Sequence, residues 1–230
     1  MSKTHFDNLL YIIPDLRSRS ILDVGSGRGK FLIDAASRGC DVYGVEVFQD
    51  YIDISLEHAK ERNIQIKVEQ GLAENLPFED DKFDFINLSE VIEHVDNPED
   101  TLSEISRVLK KGGKVYLSVP SRFSYFDTHY HLLFLNWIPR SWAHKVIGYL
   151  GKHKDYTQNN GKQRIDEMFY TTYNSFKEKV KNYDLVAYDI REIKIKKKFK
   201  NEYIQKIALS LYRIIRHFYF KSFHFLIEKK

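Results

Sequence analysis

Three glycines at alternate positions, Gly25, Gly27 and Gly29, follow an apolar run broken by an acid, Ile21-Leu22-Asp23-Val24. Alternate glycines permit backbone with φ > 0 and let a ligand approach the main chain where a Cβ would clash. A strand that runs into such a turn and then into a helical pattern is where an open α/β sheet docks a nucleotide-like ligand. The spacing separates two kinds of cofactor: pyrophosphate-bearing dinucleotides use G-x-G-x-x-G, whereas this chain has G-x-G-x-G with Asp23 two residues ahead. The reading is a nucleoside that carries an amino acid. Glu46 closes a second run of buried-strand character, Val42-Tyr43-Gly44-Val45-Glu46. It falls about 20 residues past the glycines, where a doubly wound fold places a carboxylate on ribose hydroxyls.

The elements that must hold these residues alternate along the chain. A short helix over residues 8–14 precedes strands expected at 20–24, 41–46, 64–69, 83–88 and 114–119. Between them lie helices at 28–38, ended by Gly39, at 50–62, and from Asn97-Pro98 to Lys111-Gly112-Gly113. Such alternation means a parallel sheet with helices on both faces. Residues 172–182 read as a helix, 185–195 as a sixth strand, 202–217 as a helix and 221–227 as a seventh strand. The rhythm breaks at residues 121–168, which hold four of the nine histidines and many aromatics, among them Phe123, Tyr130, Phe134, Trp137, Trp142 and Tyr156. An insertion after the fifth strand sits over the carboxyl ends of the strands, so it reads as a substrate cap.

At 230 residues the chain is long enough for a single domain with a sizeable core. The lone Cys40 has no internal disulfide partner and reads as buried packing. No signal-like segment opens the chain and no window reaches the ~18 apolar residues of a membrane span. A cytoplasmic location is expected. The net charge of +4 conceals an asymmetry: residues 191–230 hold 12 of the 36 Lys and Arg and 3 of the 32 Asp and Glu, so that segment is +9 and residues 1–190 are −5.

Three further segments complete a pattern: Gly71-Leu72-Ala73-Glu74-Asn75-Leu76-Pro77-Phe78, then Phe83-Asp84-Phe85-Ile86-Asn87-Leu88-Ser89, then Glu90-Val91-Ile92-Glu93-His94-Val95. With the glycine turn and Glu46, in this order and spacing, they resemble the class I S-adenosylmethionine-dependent methyltransferases. The likeness is to the type 11 subgroup, whose fourth strand leads into an "LEHV"-like helix start, and it covers residues 20–120. The resemblance implies a Rossmann-like, seven-stranded, mostly parallel sheet whose last strand inserts antiparallel beside the fifth. It implies S-adenosylmethionine as methyl donor, its methionine end held by Asp23 and by the backbone of Gly25, Ser26, Gly27 and Gly29. Glu46, with Val47 next to it, would chelate the ribose, the Leu72-Ala73 backbone would face the adenine, and Ser89 would lie beside the donor. The family usually has an acid where this chain has Leu72, so backbone groups are expected to make that contact.

Methyl transfer from a sulfonium is an in-line displacement, which asks mainly for alignment and exclusion of water. A base is needed where the acceptor is a hydroxyl or a protonated amine. His94, near the end of the fourth strand, either serves as that base or shapes the pocket; Glu93 reads as a helix-start anion or a partner to it. His129-Tyr130-His131 invites a metal reading, but two histidines at i, i+2 lack further ligands at metal spacing, and no metal site is expected. Asp127, His129, His131, Asn136 and Trp137 are instead expected to line the acceptor pocket. Their mixture of hydrogen-bonding groups and aromatic faces suits a sugar ring, though Trp137 and Phe134 equally fit the core of a cap.

The segment 194–230 allows two readings. Lys194, Lys196, Lys197, Lys198 and Lys200, followed by apolar residues at helical spacing from Ile204 to Phe218, suit peripheral contact with an anionic membrane. Equally, the apolar stripe packs on the sheet and the lysines are a solvated strand end. No nucleic-acid partner is expected, because the N-P-P-[YFW] type of motif is replaced by Asn87-Leu88-Ser89-Glu90 after the fourth strand. The short N-terminal cap, the insert and the final strand are loosely similar to methyltransferases of cell-surface glycan and lipopolysaccharide biosynthesis. The expected reaction is O-methylation of a sugar, nucleotide- or lipid-linked, at the inner face of the membrane. The alternatives are O- or C-methylation of a quinone-type aromatic lipid, and a donor-binding or scaffold protein without catalysis.

Overall fold

The computed structural model describes residues 3–152 and 164–230. Seven strands form one sheet: β1 (Ser20–Val24), β2 (Asp41–Glu46), β3 (Lys67–Gln70), β4 (Phe83–Leu88), β5 (Leu109–Pro120), β8 (Leu185–Asp189) and β9 (Ser222–Lys229). Their order is β3-β2-β1-β4-β5-β9-β8, with parallel pairing from β3 through β5 and β9 antiparallel to both its neighbours. This is the Rossmann-like sheet expected from the sequence, including the antiparallel strand beside β5.

Strand alternation sorts the core into two layers. Leu22, Ile86, Leu117 and Phe225 point to the face covered by α4 (Pro98–Val108) and α6 (Tyr173–Lys181). Ile21, Phe85, Tyr116 and Leu226 point to the other, with α1 (His5–Ile12), α2 (Lys30–Ala36) and α7 (Ile190–Lys198). Helix α1 starts earlier than expected because Thr4 and Asp7 form a reciprocal capping box. Helix α3 (Gln49–Glu61) follows β2 as expected.

Two local expectations are corrected. The run 185–195 is not one strand: β8 stops at Asp189, whose carboxylate accepts from the amides of Arg191 and Glu192 and so starts α7. Gly112-Gly113 do not terminate α4 either. The helix ends at Val108, Leu109 already pairs with Phe83, and pairing resumes at Lys114 with Phe85. The residues between bulge out of the ladder, with Gly112 at φ +74°.

The insert after β5 holds a two-residue hairpin, β6 (Phe126–Asp127) with β7 (Leu132–Leu133), a 3₁₀ turn at Leu135–Trp137 and α5 (Arg140–Tyr149). It has a small core of its own around Tyr130, Leu135, Ala143, Ile147 and Ile165. Residues 153–163, with Tyr156 of the expected cap, lie outside the described residues. The chain returns to the sheet where the Arg122 amide donates to the Thr171 carbonyl and the Phe169 amide to that of Glu93. Helix α8 (Glu202–Tyr219) joins α7 to β9.

Candidate active site

The carboxyl ends of β1, β2 and β4 open onto a cleft of about 370 Å³. Its walls include Gly25 and Gly27 after β1, Glu46, Val47, Phe48 and Tyr51 after β2, Leu72, Ala73 and Glu74 after β3, and Glu90, Val91 and His94 after β4. Crossing β1 to β4 is where the strand order reverses, the place at which such sheets bind ligands.

The glycines differ in what they do. Gly25 (φ +68°) lies so close to Val91 that a Cβ would stand 2.4 Å from its Cγ2. Gly27 (φ +53°) has nothing within 4 Å of its Cβ direction. The third, Gly29, does not line the cleft; it caps α2, and a Cβ there would meet Ser55 of α3 at 2.7 Å. Its requirement is helix packing.

Glu46 ties the loops together. The Gly27 amide donates to its Oε2 at 2.8 Å, and the Val47 and Phe48 amides donate to Oε1 at 2.9 and 3.1 Å. Asp23 is buried below the glycine turn rather than in the cleft wall. Asn87 Nδ2 donates to Asp23 Oδ1 at 2.7 Å, and His5 Nε2 donates to Asn87 Oδ1 at 3.0 Å. Burial pushes the Asp23 carboxyl up to about 7, with the Glu46 charge adding and the Asn87 bond opposing. Ser26 is buried beneath the same turn, with an Oγ that no group satisfies among the described residues. Ser89 is half-buried and outside the lining.

None of the five insert residues expected at an acceptor pocket lines the cleft, but one packs against a residue that does. The His129 ring lies edge-on to His94, 5.4 Å between centroids. Asp127 is buried and spent on structure: its Oδ1 accepts from the amides of His129 and Tyr130, and its Oδ2 from the Tyr170 hydroxyl at 2.8 Å. Because Tyr170 donates its proton to Asp127, the 2.8 Å contact to His129 Nδ1 requires that nitrogen to carry hydrogen. In neutral His129, Nε2 is then the acceptor. Asn136 is buried and Trp137 half-exposed; the Arg122 guanidinium donates to the Asn136 carbonyl, and Trp137 Nε1 to that of Phe123. His131 is exposed, at φ +55°. Neither it, Asn136 nor Trp137 borders the cleft.

Glu93, buried behind His94, has its carboxyl pushed up to about 8 by burial, the Glu90 charge adding. Glu93, His94 and His129 offer ligand atoms within 4.8 Å of one another, a grouping with the reach to hold a metal ion that the sequence spacing does not connect. Sequence reasoning also passed over Asn87, Val91 and Tyr170. Asn87 had a signal, because Asp23 and Asn87 are register partners on β1 and β4. Tyr170 had none, lying 43 residues from Asp127.

A methyltransferase domain family matches residues 22–117. The ubiquinone biosynthesis O-methyltransferase of Coxiella burnetii is 31% identical over 107 residues, 46% of each chain, so the chain spans about half the length of that relative. The protein of the same name from Bartonella tribocorum is 30% identical over 196 residues, 79% of this chain and 74% of its own. The crystal structure of an S-adenosylmethionine-dependent methyltransferase from Mesorhizobium loti superposes with a TM-score of 0.62 at 13% identity, over 97% of both chains, a likeness of fold.

Proposed function

Because the chain belongs to the class I S-adenosylmethionine-dependent methyltransferases, we propose that it moves a methyl group from S-adenosylmethionine to a hydroxyl of a lipid-borne acceptor. The observation that carries the donor assignment is the cleft itself, with open space at Gly27 and the Glu46 carboxylate across from it. These residues fit a nucleoside with an amino-acid tail: Glu46 for the ribose, the backbone of Leu72 and Ala73 for the base, and the glycine turn above Asp23 for the charged end. When bound, the donor supplies an electrophilic methyl on a sulfonium.

The chain's own residues have three tasks. Val91, held against Gly25, closes the floor of the cleft and excludes water. His94 in the wall takes the proton of the acceptor hydroxyl as the C–O bond forms. The Asp127–Tyr170–His129 chain fixes the His129 tautomer and orients that ring against His94. The insert, residues 121–168, serves as the cap over the acceptor.

The names of the relatives favour a phenolic ring of a quinone-type lipid as the acceptor. A sugar is the second reading, favoured by the hydrogen-bonding pair His94 and His129, the first in the cleft wall and the second packed against it. Methyl-labelled donor offered with a short-chain catechol analogue and, separately, with a nucleotide-linked sugar tests both. Label in the catechol is expected. Label in the sugar alone selects the second reading, and no transfer to either, with the donor bound, overturns the acceptor class.

A further inference from the structure

Helix α8 is mounted with its apolar side outward. Its hydrogen-bonding side chains face the protein: Gln205 Nε2 donates to the carbonyls of Lys196 and Phe199, the Tyr212 hydroxyl donates to Asp189 Oδ2 at 2.7 Å, and Arg216 donates to Glu192 Oε1 at 2.9 Å while lying over the Tyr173 ring. Ile204, Ile207, Leu211, Ile214, Ile215 and Phe218 point away, each 44–68% exposed. At 3.6 residues per turn they share one arc about 100° wide along a helix roughly 27 Å long. An amphipathic helix of a globular protein turns such an arc to the core. Here polar bonds hold the opposite face there, which leaves a continuous apolar surface of the kind that marks an interaction site.

Charge and continuity identify what covers it. Lys196 and Lys198 in the last turn of α7, Lys200 in the link and Lys206 in α8 stand exposed, without an ion pair among the described residues, in a segment of net charge +9. The apolar surface does not end with α8. The Tyr125 amide donates to the Phe218 carbonyl at 3.0 Å, the Phe218 ring lies 6.3 Å from that of Trp137, and Trp137 meets Phe134 edge-on at 5.1 Å. The surface therefore runs from α8 onto the insert that carries His129. A second copy of this chain would bring the same basic segment against itself. An anionic bilayer supplies both an apolar layer and negative headgroups, and no helix among the described residues is long and apolar enough to cross it. We propose that α8 and the Phe134–Trp137 edge of the insert lie in the headgroup layer of an anionic membrane, with the apolar arc inward and the lysines at the phosphates. The use of this surface, delivery of a lipid-borne acceptor to the cleft, rests on the function proposed above; the binding does not.

Co-sedimentation of the full chain with vesicles of phosphatidylcholine containing about one-third phosphatidylglycerol tests this at physiological salt. Wild-type protein is expected to sediment with these vesicles and to stay in solution with phosphatidylcholine alone. Leu211→Asp/Ile214→Asp places two charges in the apolar arc and is expected to lower the partition coefficient by about 100-fold or more. Lys196→Gln/Lys198→Gln/Lys200→Gln is expected to lower it by a similar factor, roughly five-fold per lysine. All five positions are exposed, so melting and S-adenosylhomocysteine binding should be unchanged. Absence of wild-type binding, or variants that bind like wild type, overturns the proposal. So does a lipid-free dimer in sedimentation velocity that Leu211→Asp dissociates, which would make α8 a subunit interface. Vesicle binding without methyl transfer would leave the surface standing and remove the acceptor assignment; transfer to a soluble analogue without vesicle binding would do the reverse.

Discussion

Replacing Glu46 by alanine should weaken donor binding by a factor set by the bonds its carboxylate already makes. A carboxylate offers about four lone-pair directions, and the amides of Gly27, Val47 and Phe48 occupy three of them. A chelated ribose diol needs two, so its arrival displaces one amide. The bond to Gly27 is the one that spans two loops, and it is the one expected to yield. Two charge-assisted hydrogen bonds are then gained and one is surrendered, a net of about 1.5–3 kcal/mol. That corresponds to roughly 10- to 150-fold in affinity. Titration calorimetry with S-adenosylhomocysteine, comparing wild type with Glu46→Ala, reads this directly, and the Gly27 amide resonance should shift on titration of the wild type. An affinity within about threefold of wild type would refute the reasoning, because it would mean that the carboxylate serves only the loops.

Gly25→Ala places a methyl 2.4 Å from Val91 Cγ2 at φ +68°, so a loss of about 1–3 kcal/mol in denaturant unfolding is expected. Val91→Ala added to it should restore part of that loss, and a Gly25→Ala protein as stable as wild type would show that the close approach does not exist. His224 is pushed down to about 4, chiefly by burial and then by Arg191, Lys194 and His5. The unfolded chain takes up that proton near 6.5 while the folded one does not, so stability is present above that pH and is lost as pH falls toward 4. Between pH 7 and 5 this amounts to about 1–2 kcal/mol, which His224→Phe should remove from the urea midpoint difference; an equal difference in the variant would contradict it. Asp23 shifts the other way: raised to about 7 by burial, it binds more protons folded than unfolded, and its contribution to stability declines as pH rises from its usual 3.8. Asp23→Asn should therefore melt higher at pH 8, by about 2–4 kcal/mol, while binding donor more weakly; a lower melt, or unchanged donor binding, would count against the role given to this carboxylate.

The cleft at the carboxyl ends of β1 and β2 was legible because local sequence sets it, although Asp23, Ser26, Gly29 and Ser89 do not line it. The turn at Gly25 and Gly27 and the acid at the end of β2 lie within single strand-loop units, and the fold leaves them where their spacing put them. The acceptor side was much less so. Asp127 looked like part of the acceptor pocket and is a turn acid that holds Tyr170, a pairing no periodicity connects. Isoleucine and lysine alternate over residues 193–196 like a strand, yet Asp189 and Glu192 stand at N-cap and N3 of a helix, and capping decided. Helix α8 was visible as a stripe, but which face turns inward depends on Asp189 and Glu192, 20 or so residues back along the chain.

The most direct measurement follows methyl label from S-adenosylmethionine into lipids extracted from cells that lack this protein. Wild-type protein is expected to label one organic-soluble species, with His94→Ala slower across the pH range. Donor that binds in the cleft but passes its methyl to nothing in that extract or in the polar glycan pool would contradict the central claim and leave a donor-binding protein without catalysis.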